Sequence, residues 1–245
     1  MLNFTSPITE SHTYNNFSMK EKTPVAKINL RGDLENKDFV SKAGKILGMI
    51  LPKEPCSISA KEKITCMWLG PNEWLLVSND MITKDTNDYE LEKILFNDIS
   101  KRNLGAVTNV SDQFTIFNLA GSNIFEILSK GCPFGFNSDN FTNNKVVQTI
   151  LNHIDVTIHK KNESNVDLYV RRSFSKHLWN WLKDSSWYMP YTYATAKVIG
   201  MDSSQDFKYP TFYLILYELR MYNSQPVHDR DPNQDRVWPI PCCSF

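Results

Sequence analysis

The sequence predicts an α+β protein made of two ferredoxin-like β-α-β-β-α-β units, with an unassigned C-terminal tail. Three observations carry that expectation. Apolar residues recur at helical spacing in separate stretches, short apolar or alternating runs bounded by turn residues lie between them, and the same order restarts after residue 110. The boundaries read as an N-terminal arm over 1–24, a first unit over 25–110, a second over 111–184, and an extension of unknown structure over 185–245.

The arm is polar and aperiodic, so it is ordered only if something holds it. A strand runs from Val25 to Leu30 into Arg31, Gly32 and Asp33. Phe39, Ala43, Ile46, Leu47 and Ile50 then fall at i, i+4, i+7, i+8 and i+11, the stripe of a helix that Pro52 and Pro55 stop. Ile64 to Leu69 and Glu73 to Ser78 read as strands around the turn Gly70, Pro71 and Asn72. Asn87 with Glu90 resembles a capping arrangement before a second stripe, Leu91, Ile94, Leu95 and Ile99, and Leu104 to Asn109 is a strand.

The second copy opens with the strand Phe114 to Leu119, then Gly121, a cap at Ser122, and the apolar residues Ile124, Phe125, Ile127 and Leu128 before Gly131 and Pro133. Val146 to Leu151, the alternating Ile154, Val156 and Ile158, and the alternating Val166, Leu168 and Val170 are strands. A helix follows with Phe174, Leu178, Trp181 and Leu182 on one face. Each helix has one apolar stripe, so the helices cover one face of each antiparallel sheet. Beyond Ser185 only Phe207 to Tyr222 contains a strongly apolar run.

Composition narrows the function. With 27 basic and 27 acidic side chains in 245 residues there is no global field for a polyanion, and no local basic patch for nucleic acid or an anionic membrane. The apolar run around Thr211 to Tyr217 is broken by Glu218 and Arg220, short of the roughly 20 residues a spanning helix needs. No basic cap and apolar run open the chain, and Cys56, Cys66, Cys132, Cys242 and Cys243 form no C-x-x-C pair. The expectation is a leaderless cytoplasmic protein with reduced thiols. Five N-x-S/T matches, at Asn3, Asn16, Asn109, Asn140 and Asn162, are read as chance.

Reactive motifs are missing from the pattern. No two glycines stand as G-x-G, and there is neither a G-x-S-x-G elbow nor an H-E-x-x-H helix. His153 and His159, six residues apart on a strand, lie about 20 Å from each other, too far to share a metal. His159 is expected on a solvent-facing strand face, His177 off the apolar stripe of the last helix, and His12 and His228 in tails. Arg31-Gly32-Asp33 reads as a strand-to-helix junction, with Gly32 allowing a sharp turn and Asp33 near the helix start. Cys66 is a buried small hydrophobe. No catalytic, cofactor-binding or metal residue is assigned. Trp68, Trp74 and Trp179 are left as candidates for a protein interface.

The residues from about Val25 to Asp184 resemble the gamma subunit of the heterotetrameric sarcosine oxidases. The carrying motifs are Leu30-Arg31-Gly32-Asp33, Leu51-Pro52, Trp68 to Leu76, Val107 to Asp112, Leu119-Ala120-Gly121 with Leu128 and Gly131, Gln148-Thr149, Arg172-Ser173, and Leu178 to Leu182. Ser6-Pro7-Ile8 resembles the family's start. The resemblance implies a fold like the folate-binding aminomethyltransferase of glycine cleavage, the T protein. It also implies a complex that oxidatively demethylates sarcosine to glycine, with hydrogen peroxide and methylene-tetrahydrofolate formed. Alpha, beta and delta subunits are the implied partners, and FAD, FMN, NAD, tetrahydrofolate and zinc are implied for those partners and not for this chain, an assembly subunit. On that reading the surface around the Trp68 to Trp74 hairpin and the last helix docks on a larger subunit. The alternatives are a stand-alone folate-binding protein of the T-protein or iron-sulphur-assembly type, and an unrelated interaction module. Lys130-Gly131-Cys132 with Gly135 resembles the K-G-C-Y-x-G-Q-E signature of the former, but Pro133, Phe136 and Asn137 replace its tyrosine, glutamine and glutamate.

Overall fold

The computed structural model describes residues 5–61, 63–81, 90–136 and 141–187. In chain order the elements are β1 (Ser11–Tyr14), β2 (Phe17–Glu21), β3 (Val25–Gly32), α1 (Lys37–Leu47), β4 (Ile58–Lys61), β5 (Ile64–Gly70), β6 (Glu73–Met81), α2 (Glu90–Asp98), β7 (Gly105–Asn109), β8 (Phe114–Gly121), α3 (Ile124–Ser129), β9 (Lys145–Leu151), β10 (Ile154–Asn162), β11 (Asn165–Arg171) and α4 (Ser175–Trp187). Short 3₁₀ turns at Ser100–Arg102 and Arg172–Phe174 precede β7 and α4.

The first sheet has the order β4-β5-β6-β3-β7, antiparallel throughout. Apart from the edge strand β4, this is the expected ferredoxin-like order. Helix α1 starts where the Asn36 side chain accepts from the backbone N–H of Asp38 (3.0 Å) and Phe39 (3.2 Å), and ends at Gly48 in the left-handed region, φ 65°. Phe39, Ala43 and Leu47 are buried against Ile28, Leu30, Trp74 and Leu76. Ile50, placed on the stripe by its spacing, lies beyond the Gly48 stop and is 76% exposed. At Gly32 the sequence argument also needs revision. Its backbone is not left-handed, but a Cβ there would stand 2.3 Å from the Phe39 ring, so glycine makes room for that ring. Asp33 turns the chain by accepting from Glu35 N at 2.9 Å, and Asn36 is the cap.

The second sheet has the order β1-β2-β8-β11-β10-β9. Strands β8, β10 and β11 repeat β3, β5 and β6, and β9 repeats β4. Among the described residues no strand follows α4, and the position that β7 holds in the first sheet is held by β2 of the N-terminal arm, paired antiparallel with β8 from Phe17↔Gly121 to Glu21↔Phe117. The arm therefore completes the second unit before the chain enters the first. Its strands escape periodicity because they have only four and five residues, although Phe17 and Met19 do point inward two apart. Gly121 permits the docking: its φ is 132°, and a Cβ would stand 1.8 Å from the Asn16 carbonyl oxygen.

Helices α3 and α4 cover one face of this sheet over Phe117, Leu119, Val156, Ile158, Leu168 and Val170. Phe174 belongs to the 3₁₀ turn before α4, off the helix face, and is 47% exposed. The helix-free faces of the two sheets meet each other: Met67, Leu75 and Val77 of the first pack with Ile116, Val146 and Tyr169 of the second. Cross-links include Val146 N to Cys56 O (3.0 Å) and Gln148 Nε2 to Leu69 O (2.7 Å). Helices thus form the outer layers and sheets the inner ones. No helix among the described residues is long and apolar enough to cross a membrane. The Asn87 cap and the Phe207 to Tyr222 run lie outside the described residues, as does nearly all of the 185–245 extension.

Candidate functional site: the cleft between the sheets

Where the sheets diverge, a cleft of about 810 Å³ opens between them. One wall is built by β3, β5, β6 and β7 through Asn29, Arg31, Leu69, Glu73, Leu75 and Thr108. The other is built by β9, β10 and β11 through Gln148, Ile150, Asp155, Thr157, Tyr169 and Arg171. Strand alternation explains the placement. Ile28 and Leu30 go under the helices, so Asn29 and Arg31 face the cleft; Leu168 and Val170 do the same on β11, so Tyr169 and Arg171 face it.

On the first wall Glu73 is fully engaged. Its Oε1 takes the Arg31 guanidinium at 2.9 Å and the Asn29 amide N–H at 2.7 Å. On the second wall, Asp155 and Arg171 make no ion pair or side-chain hydrogen bond among the described residues. Thr157 lies directly across the ladder from both Gln148 and Tyr169. Tyr169 is 2% exposed, and burial followed by the charge of Asp167 pushes its phenol well above the ordinary tyrosine value. Its hydroxyl donates to no group among the described residues. Among the described residues the only side-chain polar atom sealed away without a partner is Trp68 Nε1, so the Tyr169 hydroxyl opens onto the cleft.

Deeper along the same face lies Asp167, 1% exposed. It receives Lys22 (2.9 Å), Lys161 (2.7 Å) and the Asn118 amide (2.8 Å). Burial raises the carboxyl, but the Lys161 hydrogen bond and the Lys22 charge outweigh it and hold Asp167 below the usual carboxylate range. The group ties the arm to β11 rather than facing a substrate. His159 packs beside it, 7% exposed instead of solvent-facing, because that face of β10 is covered by the other sheet. Burial pushes its imidazole down to about 4, against the pull of Asp167.

The remaining histidines are dispersed. His153 forms the β9–β10 turn with a φ of 63°. His177 meets Asn152 at 3.3 Å, and His12 is buried with Nε2 2.8 Å from Ser186 Oγ, held there by the arm strands. His228 lies outside the described residues. Among the described residues no group of three or more His, Cys, Asp or Glu is arranged to hold a metal. Cys66 is buried, its thiol pushed up to about 12 by that burial.

The tryptophans correct the interface expectation. Trp74 and Trp179 are both 0% exposed, with indole N–H donated to Pro52 O and to Glu10 Oε1, each at 2.8 Å. Trp179 packs edge-on to Phe117, and Trp181, expected on the apolar stripe, is the half-buried one. Trp74 packs in the core under the helices of the first unit, and Trp179 is inside because α4 meets the sheet one position round from the face that simple periodicity picks. The Lys130 to Phe136 segment is likewise occupied by the protein itself: Phe125, Phe134, Phe136 and Phe141 cluster, with the buried Lys160 Nζ 4.9 Å from the Phe125 ring and bonded to Phe141 O at 2.7 Å. The cleft residues were missed because alternation marks them only as the polar face of each strand.

Comparison with known proteins agrees with this architecture. The sarcosine oxidase subunit gamma of Corynebacterium sp. (strain U-96) is 27% identical over 119 residues, 49% of this chain and 54% of that protein, so the match spans about half of each. A solved heterotetrameric sarcosine oxidase from Corynebacterium sp. U-96, in complex with pyrrole 2-carboxylate, superposes with a TM-score of 0.63 at 22% identity, over 69% of this chain and 83% of that one, which shows a shared fold. Aminomethyltransferase T of the glycine cleavage system from Bartonella henselae gives a TM-score of 0.47 at 14% identity, over 68% and 45%. The model of the sarcosine oxidase, gamma subunit family matches residues 31–188, from the end of β3 through α4, and the chain therefore belongs to that family.

Proposed function

We propose that the chain is the gamma subunit of a heterotetrameric sarcosine oxidase, an assembly subunit that supports oxidative demethylation of sarcosine without carrying the chemistry. The observation that carries this reading is the family match over 31–188, which takes in nearly all of both units. The geometry is in keeping with it. Asp167 is neutralised by two lysines, His159 is sealed in its uncharged form, and Trp74 and Trp179 serve the core. The partners are alpha, beta and delta subunits, which hold FAD, FMN, NAD, tetrahydrofolate and zinc; the complex yields glycine, hydrogen peroxide and methylene-tetrahydrofolate. Its place is the cytoplasm, in line with the free thiols of Cys66 and Cys132.

Affinity purification of the tagged chain from its native host tests this. A yellow, flavin-containing complex that releases hydrogen peroxide with sarcosine is the expected result, together with no turnover by the isolated chain. A colourless monomer that binds folate would overturn it.

A further inference from the structure

The outer strand of the second sheet carries groups that nothing among the described residues satisfies. Val146 N donates away from β10, to Cys56 O at 3.0 Å, which makes His159↔Val146 a non-hydrogen-bonded pair. By the two-residue period, Thr157↔Gln148 and Asp155↔Ile150 are also such pairs, so the N–H and C=O of Gln148 and Ile150 point out from the edge. No backbone partner among the described residues meets them. Natural edges are blunted by charge or proline, yet Gln148-Thr149-Ile150-Leu151 has neither, and Ile150 is 46% exposed. This edge borders the cleft, into which the Tyr169 hydroxyl opens, with Asp155 and Arg171 on the same wall; none of the three has a side-chain partner among the described residues.

We infer that the free edge of β9 and the adjoining cleft receive an extended segment of a larger partner subunit. The segment adds a strand through Gln148 and Ile150, hydrogen-bonds the Tyr169 hydroxyl with a neutral polar group, and presents one acid to Arg171 and one base to Asp155. A polypeptide is the occupant because the open groups repeat at strand spacing along a backbone edge, which an extended peptide matches and a compact small molecule does not. The inference rests on the assembly reading above and names the surface that carries it.

The test is amide hydrogen exchange in β9 of the wild-type chain, alone and within the purified complex, combined with association measurements on Ile150→Pro and Ile150→Ala. The Ile150 N–H lies outside the β9·β10 ladder, so proline removes the outward donor without removing a ladder bond. Protection of the Gln148 and Ile150 amides only in the complex is expected, with association at least about tenfold weaker for Ile150→Pro than for Ile150→Ala. Equal exchange in both states within an assembled complex overturns this inference and leaves the gamma-subunit reading intact. Protection already complete in the isolated chain, whether from its own residues, a second copy or a bound small molecule, also overturns it. A wild-type chain that joins no flavoprotein removes both.

Discussion

At the scale of single residues, burial decides which polar groups matter. His159 titrates at about 4 when folded, against 6.5 in the unfolded chain. Its neutral form is accommodated fully above about pH 6.5, and stability is lost as pH falls from there towards 4, because the unfolded chain takes up the proton first. Between pH 7.5 and 4.5 the loss should be about 2–3 kcal/mol. Urea midpoints for His159→Gln should show that much less pH dependence than wild type, and an unchanged dependence would mean that His159 is solvated. Trp74→Ala and Trp179→Ala should each cost about 3–5 kcal/mol of unfolding free energy, measured by denaturant titration of the chain alone. The indoles were legible as a signal in the sequence, but not their side of the fold. Trp179 sits one position off the stripe of Leu178 and Leu182, and only the packing angle of α4 on Phe117 brings it inside.

Among the elements, the arm is where local reading and structure part. β2 is five residues long and gains order from β8, from the Lys22 pair with Asp167, and from the Glu21 carboxylate, which accepts from Ile8 N at 3.0 Å and from the Ser6 hydroxyl. Gly121→Ala should release it, since a Cβ meets Asn16 O and the φ of 132° alone costs a side chain about 1–3 kcal/mol. Limited trypsin digestion reads this directly: cleavage after Lys20 and Lys22 should become fast in Gly121→Ala and stay slow in wild type. Helix α1, by contrast, was legible to within three residues because its stripe is local, although its cap is Asn36 and not Asp33 and its stop is Gly48 and not Pro52. Asn36→Ala should cost about 1 kcal/mol, checked by thermal unfolding.

For the whole molecule, the join between sheets is the decisive feature. Met67, Leu75, Val77, Ile116, Val146 and Tyr169 form a third core shared by both units, and the arm crosses from one to the other. Unfolding should therefore be one cooperative transition, and Leu75→Ala should lower its midpoint by the equivalent of about 2–5 kcal/mol without splitting it in two. Two separated calorimetric transitions would show that the units are independent. From β3 to α4, the edge strand β4 apart, the order of strands and helices was legible in the amino-acid sequence, as were the duplication and the family resemblance, because hydrophobic period, caps and turns act within a dozen residues. Which sheet the arm completes, that His159 and Tyr169 are enclosed, and that a cleft lies between Glu73 and Asp155 were decided by tertiary structure alone. Each depends on one strand meeting another far away in the chain, 82 residues for Glu73 and Asp155, and no local pattern records that encounter.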